Sequence, residues 1–479
     1  MEVTGSKKDS CGVFGVCSRE QDIVHSIYCG LMSLQHRGQE SAGISTLKNG
    51  RLSTRKVWGL VSQNLKPKLW RLSGHVGIGH VRYSTTGSST LANAQPMTDS
   101  HFAFAHNGNV ANYMSVRKRL LNEGLRLRTN SDAEIMLRLF RRYYEESGDY
   151  AVAMESMASQ LEGGYSIIIL TSRGELIAAR DPLGFRPLCQ GMTEGSTAFA
   201  SESVALDGNN IRLVGDVDPG TLLVASRNGI EEFRYNSCNR RAHCMFEYVY
   251  FSRVDSIIEG RSVYNVRFNL GVNLAKTYGI KSDVVIPVPD TSRTAAEGYS
   301  RQTGTPVAEG LIKNRYIHRT FIMPRQRDRD AAMKLKINPL KSVVTGKEVL
   351  IIDDSIVRGT TSKAIVNMVK NAGAKKVHMM STCPPIISPC FYGIDIASYG
   401  ELIAARMDIE SIKEKIGSDS LGYQTLDGLV DAIGLPKEDL CLGCLTGEYP
   451  TPYVQRILEA LKERSGIGTT RAWEAEIPV

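Results

Sequence analysis

Residues 349–362 read Val-Leu-Ile-Ile-Asp-Asp-Ser-Ile-Val-Arg-Gly-Thr-Thr-Ser. An apolar run of strand length leads into two adjacent acids, Asp353 and Asp354, and then into Gly359, Thr360, Thr361 and Ser362. Successive strand residues face opposite ways, but where a strand ends the chain can turn both carboxylates toward one ligand. The glycine and hydroxyls offer N–H and O–H donors to a phosphate, just where a helix beginning at Ser362 would add its own. Acids for sugar hydroxyls or Mg2+, set beside a phosphate cradle, suit a phosphorylated sugar. Alone, an acid pair after an apolar strand is commonly a solvated turn or an N-cap. The ordered glycine and hydroxyls favour ligand binding here.

Outward from this stretch the pattern alternates. A helical period over 263–276 precedes a strand at 284–287 and a helix at 294–302. The strand 349–352, a helix over 361–372 and a strand at 376–381 follow. Such βαβ alternation predicts a parallel sheet with ligands at the strand C-termini. The N-terminal half has another rhythm. Strands are expected at 12–17, 41–46, 76–83, 102–105, 165–170, 176–179 and 221–226, with helices near 23–34 and 132–144. The strands at 76–83 and 102–105 are expected to end in polar, Gly-rich turns. Strands without alternating helices predict a layered α+β domain with antiparallel sheets. The expected division is residues 1–10, 11–240 and 241–479.

With 479 residues the chain has length for two or three domains. Its 42% hydrophobic and 23% charged residues are those of a globular protein. No apolar run approaches a membrane span, so no membrane partner is expected. The polar start lacks a secretory signal, and the expected location is cytoplasmic. A net charge of +8 is mild for this length and fits a polyanionic small molecule without requiring nucleic acid. A basic run over 315–336 reads as a solvated loop or helix face. Ten cysteines are too few for a disulfide framework here, which points to a reducing compartment.

Cys11 opens Cys-Gly-Val-Phe-Gly-Val after ten polar residues, and a cysteine so placed is commonly a small buried residue. Three later segments alter that reading: Gln-His-Arg-Gly-Gln-Glu-Ser at 35–41, His-Val-Arg-Tyr-Ser-Thr at 80–85 and His-Asn-Gly-Asn at 106–109. Asn-Ser-Asp at 130–132 completes the set. Together they resemble the class II glutamine amidotransferases over residues 11–240. The resemblance implies an N-terminal-nucleophile αββα sandwich, with residues 1–10 removed as a propeptide. Cys11 would then be the nucleophile and its freed α-amino group, with a pKa near about 8, the base. The family pattern assigns the oxyanion donors to the Asn107 side chain and the Gly108 N–H. Glutamine is a zwitterion, for which Arg82 would bind the carboxylate and Asp132 the ammonium. His36, His80 and His106 are read as structural, and the segments at 180–184 and 201–203 as packing.

The 349–362 stretch resembles the phosphoribosyl pyrophosphate (PRPP) loop of type I phosphoribosyltransferases. Pro-Val-Pro-Asp-Thr-Ser at 287–292 resembles their pyrophosphate loop; Thr291 stands where serine is frequent and keeps the hydroxyl. The implied Mg2+ ligands are Thr291, Asp353 and Asp354, and the implied PRPP contacts are Asp353, Asp354, Gly359, Thr360, Thr361, Ser362 and Lys336. Residues from 311 through the basic run resemble a loop that closes over PRPP, with Lys334 where arginine is usual.

Cys441-Leu-Gly-Cys444 is a lone C-x2-C, for which zinc is the ordinary alternative. With both halves considered, the chain resembles the glutamine PRPP amidotransferase family over nearly its whole length. Cys244, Cys390, Cys441 and Cys444 match its iron–sulfur subgroup and would hold a [4Fe–4S] cluster. Cys238 and Cys383 compete for these places, and only the flanking residues favour Cys244 and Cys390. The resemblance implies that PRPP, glutamine and water become 5-phosphoribosylamine, glutamate and pyrophosphate, opening purine biosynthesis with ammonia passed internally. It also implies feedback by purine nucleotides and a homotetramer. The rivals are a PRPP-sensing regulator, which would need a DNA-reading element, and another class II amidotransferase, which would lack the 349–362 loop.

Overall fold

The computed structural model describes residues 11–83, 89–314, 337–396 and 398–463. Residues 1–10, 84–88 and 315–336, which include Lys334 and Lys336, lie outside the described residues.

The N-terminal half stacks two antiparallel sheets. The seven-stranded sheet runs Arg212–Asp216, Cys189–Met192, Ser196–Ala200, Gly12–Ser18, Val76–Arg82, Ser41–Lys48, Arg51–Trp58. The six-stranded sheet runs Gly229–Arg234, Thr221–Ser226, Leu176–Arg180, Gly163–Thr171, Phe102–Val110, Met97–Thr98. Strand alternation sorts the cores. Val13 and Cys17 pack with Ala105, Ile168 and Leu170 between the sheets. Phe14 and Val16 face outward onto Ile27 and Leu31 of the helix Val24–Ser33. On the other side Phe104, Ile167 and Ile169 pack on Met136, Phe140 and Met157 from the helices Asp132–Ser147 and Tyr150–Ala158. The layers are thus helix, sheet, sheet, helix, as expected. Helix Asp132–Ser147 starts where Ser131 accepts the Ala133 N–H and stops at Gly148, φ 71°.

One expectation is corrected. The strand at 102–105 does not end in a Gly-rich turn: it continues through His106, Asn107, Gly108 and Asn109 to Val110, paired with Gly163–Thr171. Gly108 sits at φ 139°, and a Cβ there would lie 1.9 Å from the Gly164 carbonyl oxygen. Only glycine lets the ladder close at this point.

The C-terminal half holds a parallel sheet ordered Val284–Pro287, Glu348–Asp353, Lys376–Ser381, Ser420–Tyr423. Its unbroken apolar runs reflect burial on both faces. Val349 and Ile351 pack on Ile365, Val366 and Val369 of the helix Thr360–Asn371. Leu350 and Ile352 pack on Leu274 and Tyr299 from the helices Val263–Tyr278 and Arg293–Thr303. Each such side chain contributes about 1.5–3 kcal/mol when fully buried. A third core, built on Phe185, Met245, Phe246, Tyr248, Tyr392 and Tyr449, joins the two halves.

Candidate active site

The N-terminal site forms where Gly12–Ser18 enters its sheet. The Cys11 thiol is buried and donates to the Tyr83 carbonyl at 3.3 Å. Burial pushes that thiol up to about 11, only partly offset by the Tyr83 hydrogen bond and the positive charge of Arg82. A thiol so placed stays protonated near neutrality and needs a base to become a nucleophile. Asp132 and Glu40 also act on Cys11 through their charges, so Arg82 and Asp132 belong to the neighbourhood of the thiol.

Asp132 opens its helix and reaches back to the strand that carries Asn107 and Gly108. Its Oδ2 lies 3.3 Å from His106 Nε2 and accepts the Val110 N–H at 3.4 Å. Burial raises its carboxyl, but the charge and hydrogen bond of His106, with the N–H donors of Val110 and Ala133, bring it below the usual range. The acid is therefore charged and available to an ammonium. Asn107 is buried inside the strand. His80 donates from Nε2 to the His106 carbonyl at 3.1 Å, a bond between the sheets that fits a structural histidine. Glu40 was not singled out from the sequence, although it lies inside the 35–41 motif. It accepts from Arg82 Nη1 at 2.6 Å.

The second site lies at the C-terminal edge of the parallel sheet. Asp353 and Asp354 are 5% and 4% exposed, so the acid pair is no solvated turn. Asp353 Oδ1 accepts the Asp354 N–H at 2.8 Å, and Ser355 Oγ donates to Asp354 Oδ1 at 3.0 Å. Thr291 Oγ1, from the loop after Val284–Pro287, donates to Asp354 Oδ2 at 2.5 Å. Two distant loops thus bring hydroxyl and carboxylate oxygens together, a donor set suited to Mg2+. The helix begins at Thr360 rather than Ser362, with Gly359 as N-cap at φ 74° and no side-chain cap. Thr360, Thr361 and Ser362 therefore form the first turn, where N–H groups lack intrahelical partners.

Cys244, Cys390, Cys441 and Cys444 line one apolar cavity with Phe185, Met245, Phe246, Tyr392 and Tyr449. Cys244 pairs in parallel register with Cys441. Burial pushes the Cys244 thiol up to about 12, and burial with the charges of neighbouring thiolates raises Cys444 as well. Four thiolates cannot stand there without added positive charge, which an iron–sulfur core would supply. Among the described residues no three His, Cys, Asp or Glu side chains are grouped to hold a metal ion as they stand. A cluster binds thiolates at its corners and spaces them more widely than one ion does. Neither competitor, Cys238 or Cys383, lines the cavity, although Cys383 acts on Cys444 through its charge.

The two halves meet behind the N-terminal site. Asn109 Nδ2 donates to the Phe391 carbonyl at 2.9 Å, and a Cβ on Gly393 would lie 2.9 Å from the Gly108 Cα. Among the described residues no helix is long and apolar enough to cross a membrane.

A glutamine amidotransferase domain model matches residues 80–208, which hold Arg82, Asn107, Gly108 and Asp132. A phosphoribosyl transferase domain model matches residues 262–386, which hold Thr291 and the 353–362 loop. An amidophosphoribosyltransferase of Methanothermobacter thermautotrophicus is 47% identical over 466 residues, covering 96% of this chain and 98% of the relative. That of Bacillus subtilis is 41% identical over 475 residues, covering 96% and 98%. A glutamine PRPP amidotransferase from B. subtilis, solved with ADP and GMP, superposes with a TM-score of 0.85 at 40% identity, covering 92% of this chain and 97% of that one. With two substrate-type sites on the matching folds, and relatives of this identity along nearly all its length, the chain belongs to the amidophosphoribosyltransferase family.

Proposed function

We propose that Cys11 releases ammonia from glutamine and that the 353–362 loop holds PRPP for amination by it, yielding 5-phosphoribosylamine, glutamate and pyrophosphate. One observation carries this reading: the Gly108 strand of the first site is in direct contact with the Gly393 segment of the C-terminal half. Ammonia made at Cys11 would then pass internally to the ribose, which matters because ammonium at neutral pH is a poor nucleophile.

In the glutaminase step the α-amino group of a processed Cys11 accepts the thiol proton. The sulfur attacks the carboxamide, while the Asn107 side chain and the Gly108 N–H donate to the developing oxyanion. The C–N bond then breaks, ammonia leaves with the proton from the α-amino group, and water hydrolyses the thioester to glutamate and the free thiol. Arg82 holds the substrate carboxylate and Asp132 its ammonium. Removal of residues 1–10 is part of this reading, because the base exists only after cleavage. In the second step the first turn of helix Thr360–Asn371 cradles phosphate. Asp353 and Asp354 bind the ribose hydroxyls, and Lys336 contacts PRPP. Thr291, Asp353 and Asp354 would hold Mg2+, which when bound offsets the charge of the departing pyrophosphate. Excluding water protects the ribosyl centre until ammonia arrives.

Cys244, Cys390, Cys441 and Cys444 would hold a [4Fe–4S] cluster as a structural tie, since neither half-reaction moves electrons. The B. subtilis relative bound to ADP and GMP supports purine nucleotides as feedback ligands here. A cytoplasmic homotetramer completes the reading, with a glutaminase domain over 11–240 and a phosphoribosyltransferase domain over 241–479. The test is Cys11→Ala: glutamine-dependent amination should vanish while amination with added ammonium salt persists. N-terminal sequencing of active protein that still begins at Met1 would overturn the Cys11 mechanism.

A further inference from the structure

Lys56 lies on the edge strand Arg51–Trp58, opposite Gly43, which pairs with His80, which pairs with Val13. Partners across an antiparallel ladder share a face, and Val13 belongs to the core between the sheets. Lys56 therefore points into the inter-sheet space. Cys11 lies two residues before Val13 and Arg82 two after His80, so strand alternation puts both on that face. The Lys56 ammonium meets the Sδ of Met97, on the edge strand of the opposite sheet, at 3.9 Å. Among the described residues no carboxylate stands within ion-pair distance of it. Its charge acts on His80, and burial together with Arg82 pushes its amine down to about 8.

A half-buried cation whose partner among the described residues is a thioether is costly unless an anion arrives. The charges around the first site suggest which. Glu40 offsets Arg82, and Asp132 supplies the negative end for an ammonium. Lys56 adds a second cation near Arg82 for which the described residues supply no carboxylate, so among them the carboxylate end of the pocket is short of one negative charge. A zwitterionic amino-acid amide restores the balance at both ends.

We infer that Lys56 is a substrate-specificity residue, its ammonium joining Arg82 in receiving the α-carboxylate of the amide substrate. The inference rests on the glutaminase reading of the Cys11 pocket. It gives a role to the lysine that ends the cross-strand row Val13, His80, Gly43 and Lys56.

The test compares Lys56→Met and Lys56→Arg in the full-length enzyme, following glutamate release at varied glutamine. Lys56→Met should raise the glutamine KM about tenfold, the loss of one charge-assisted contact, with kcat nearly constant. Lys56→Arg should restore the KM to within about threefold, because the cation is kept. Where methionine disturbs folding, as a thermal melt would reveal, Lys56→Gln serves in its place. An unchanged KM in the neutral variant overturns the assignment. So does an equal rise in the arginine variant, or a fall in kcat at constant KM. A wild-type enzyme that releases no glutamate overturns the glutaminase reading and this assignment with it.

Discussion

Arg37 and Glu247, 210 residues apart in sequence, form a two-pronged ion pair in the interior between the halves. Arg37 also donates to Glu202 and to Ser252 Oγ, and Arg186 reaches Glu247 at 2.5 Å. The pair sits close beneath the strand that follows Cys11: a Cβ on Gly12 would meet Arg37 Cδ at 3.2 Å. Glu247 follows Cys244 by three residues, so the buried charges lock the first sheet to the segment that carries Cys244.

Arg37→Met should destabilise the protein by about 3–5 kcal/mol, since two buried carboxylates lose a shared cation. Denaturant unfolding measures this. A change below about 1 kcal/mol would show that Arg186 alone suffices.

The same network predicts an acid limb. Burial raises the Glu202 carboxyl, but the charges of Arg37 and His36 and hydrogen bonds from His36 and Ser256 hold it well below the usual 4.5. A carboxyl lowered on folding stabilises the native state above its unfolded value, and that stability fades as pH falls through and below 4.5. Unfolding free energy followed from pH 6 downward should therefore drop less steeply in Glu202→Gln than in wild type. An identical slope would assign the acid limb to other carboxyls.

Gly393→Ala tests communication between the sites. At φ 106°, with its added Cβ 2.9 Å from the Gly108 Cα, alanine must push the 390–396 segment off the Asn107–Gly108 strand. Glutamine-dependent amination should fall by about tenfold or more, because a displacement of about 1 Å at a catalytic donor has such consequences. Ammonia-dependent amination should fall much less. Equal losses in both assays would mean that the contact serves general folding.

Cys441→Ser should reduce bound iron and acid-labile sulfide well below the about four irons per chain of a complete [4Fe–4S] cluster. Cys238→Ser should leave both unchanged, because Cys238 does not line the cavity. Iron analysis of anaerobically purified protein decides between them, and equal retention in both variants would sink the cluster assignment.

Much of this architecture follows from local pattern alone. Unbroken apolar runs such as 349–352 mark strands buried on both faces, and βαβ alternation leaves a single reasonable sheet type. The period over 132–144 and the serine before it mark the helix that presents Asp132. The motifs carrying Cys11, Asp353 and Asp354 are contiguous, so both candidate sites were readable without tertiary contacts.

The tertiary structure decided what depends on distant partners. Polar His106, Asn107 and Asn109 read as a turn, yet they continue a buried strand because their hydrogen bonds are met from afar. Asn109 finds its acceptor at Phe391, 282 residues on, and the His106 N–H finds the Gln95 side chain. A buried polar group is stable only when such a partner exists, and neither composition nor periodicity announces one. The pairing of Arg37 with Glu247, the placing of Lys56 in the inter-sheet space, and the contact of Gly393 with Gly108 have the same origin. The sequence by itself carried the motifs that mark the family and the candidate groups for both sites. Long-range packing decided how the two halves are joined, because the forces that join them act between residues with no local pattern in common.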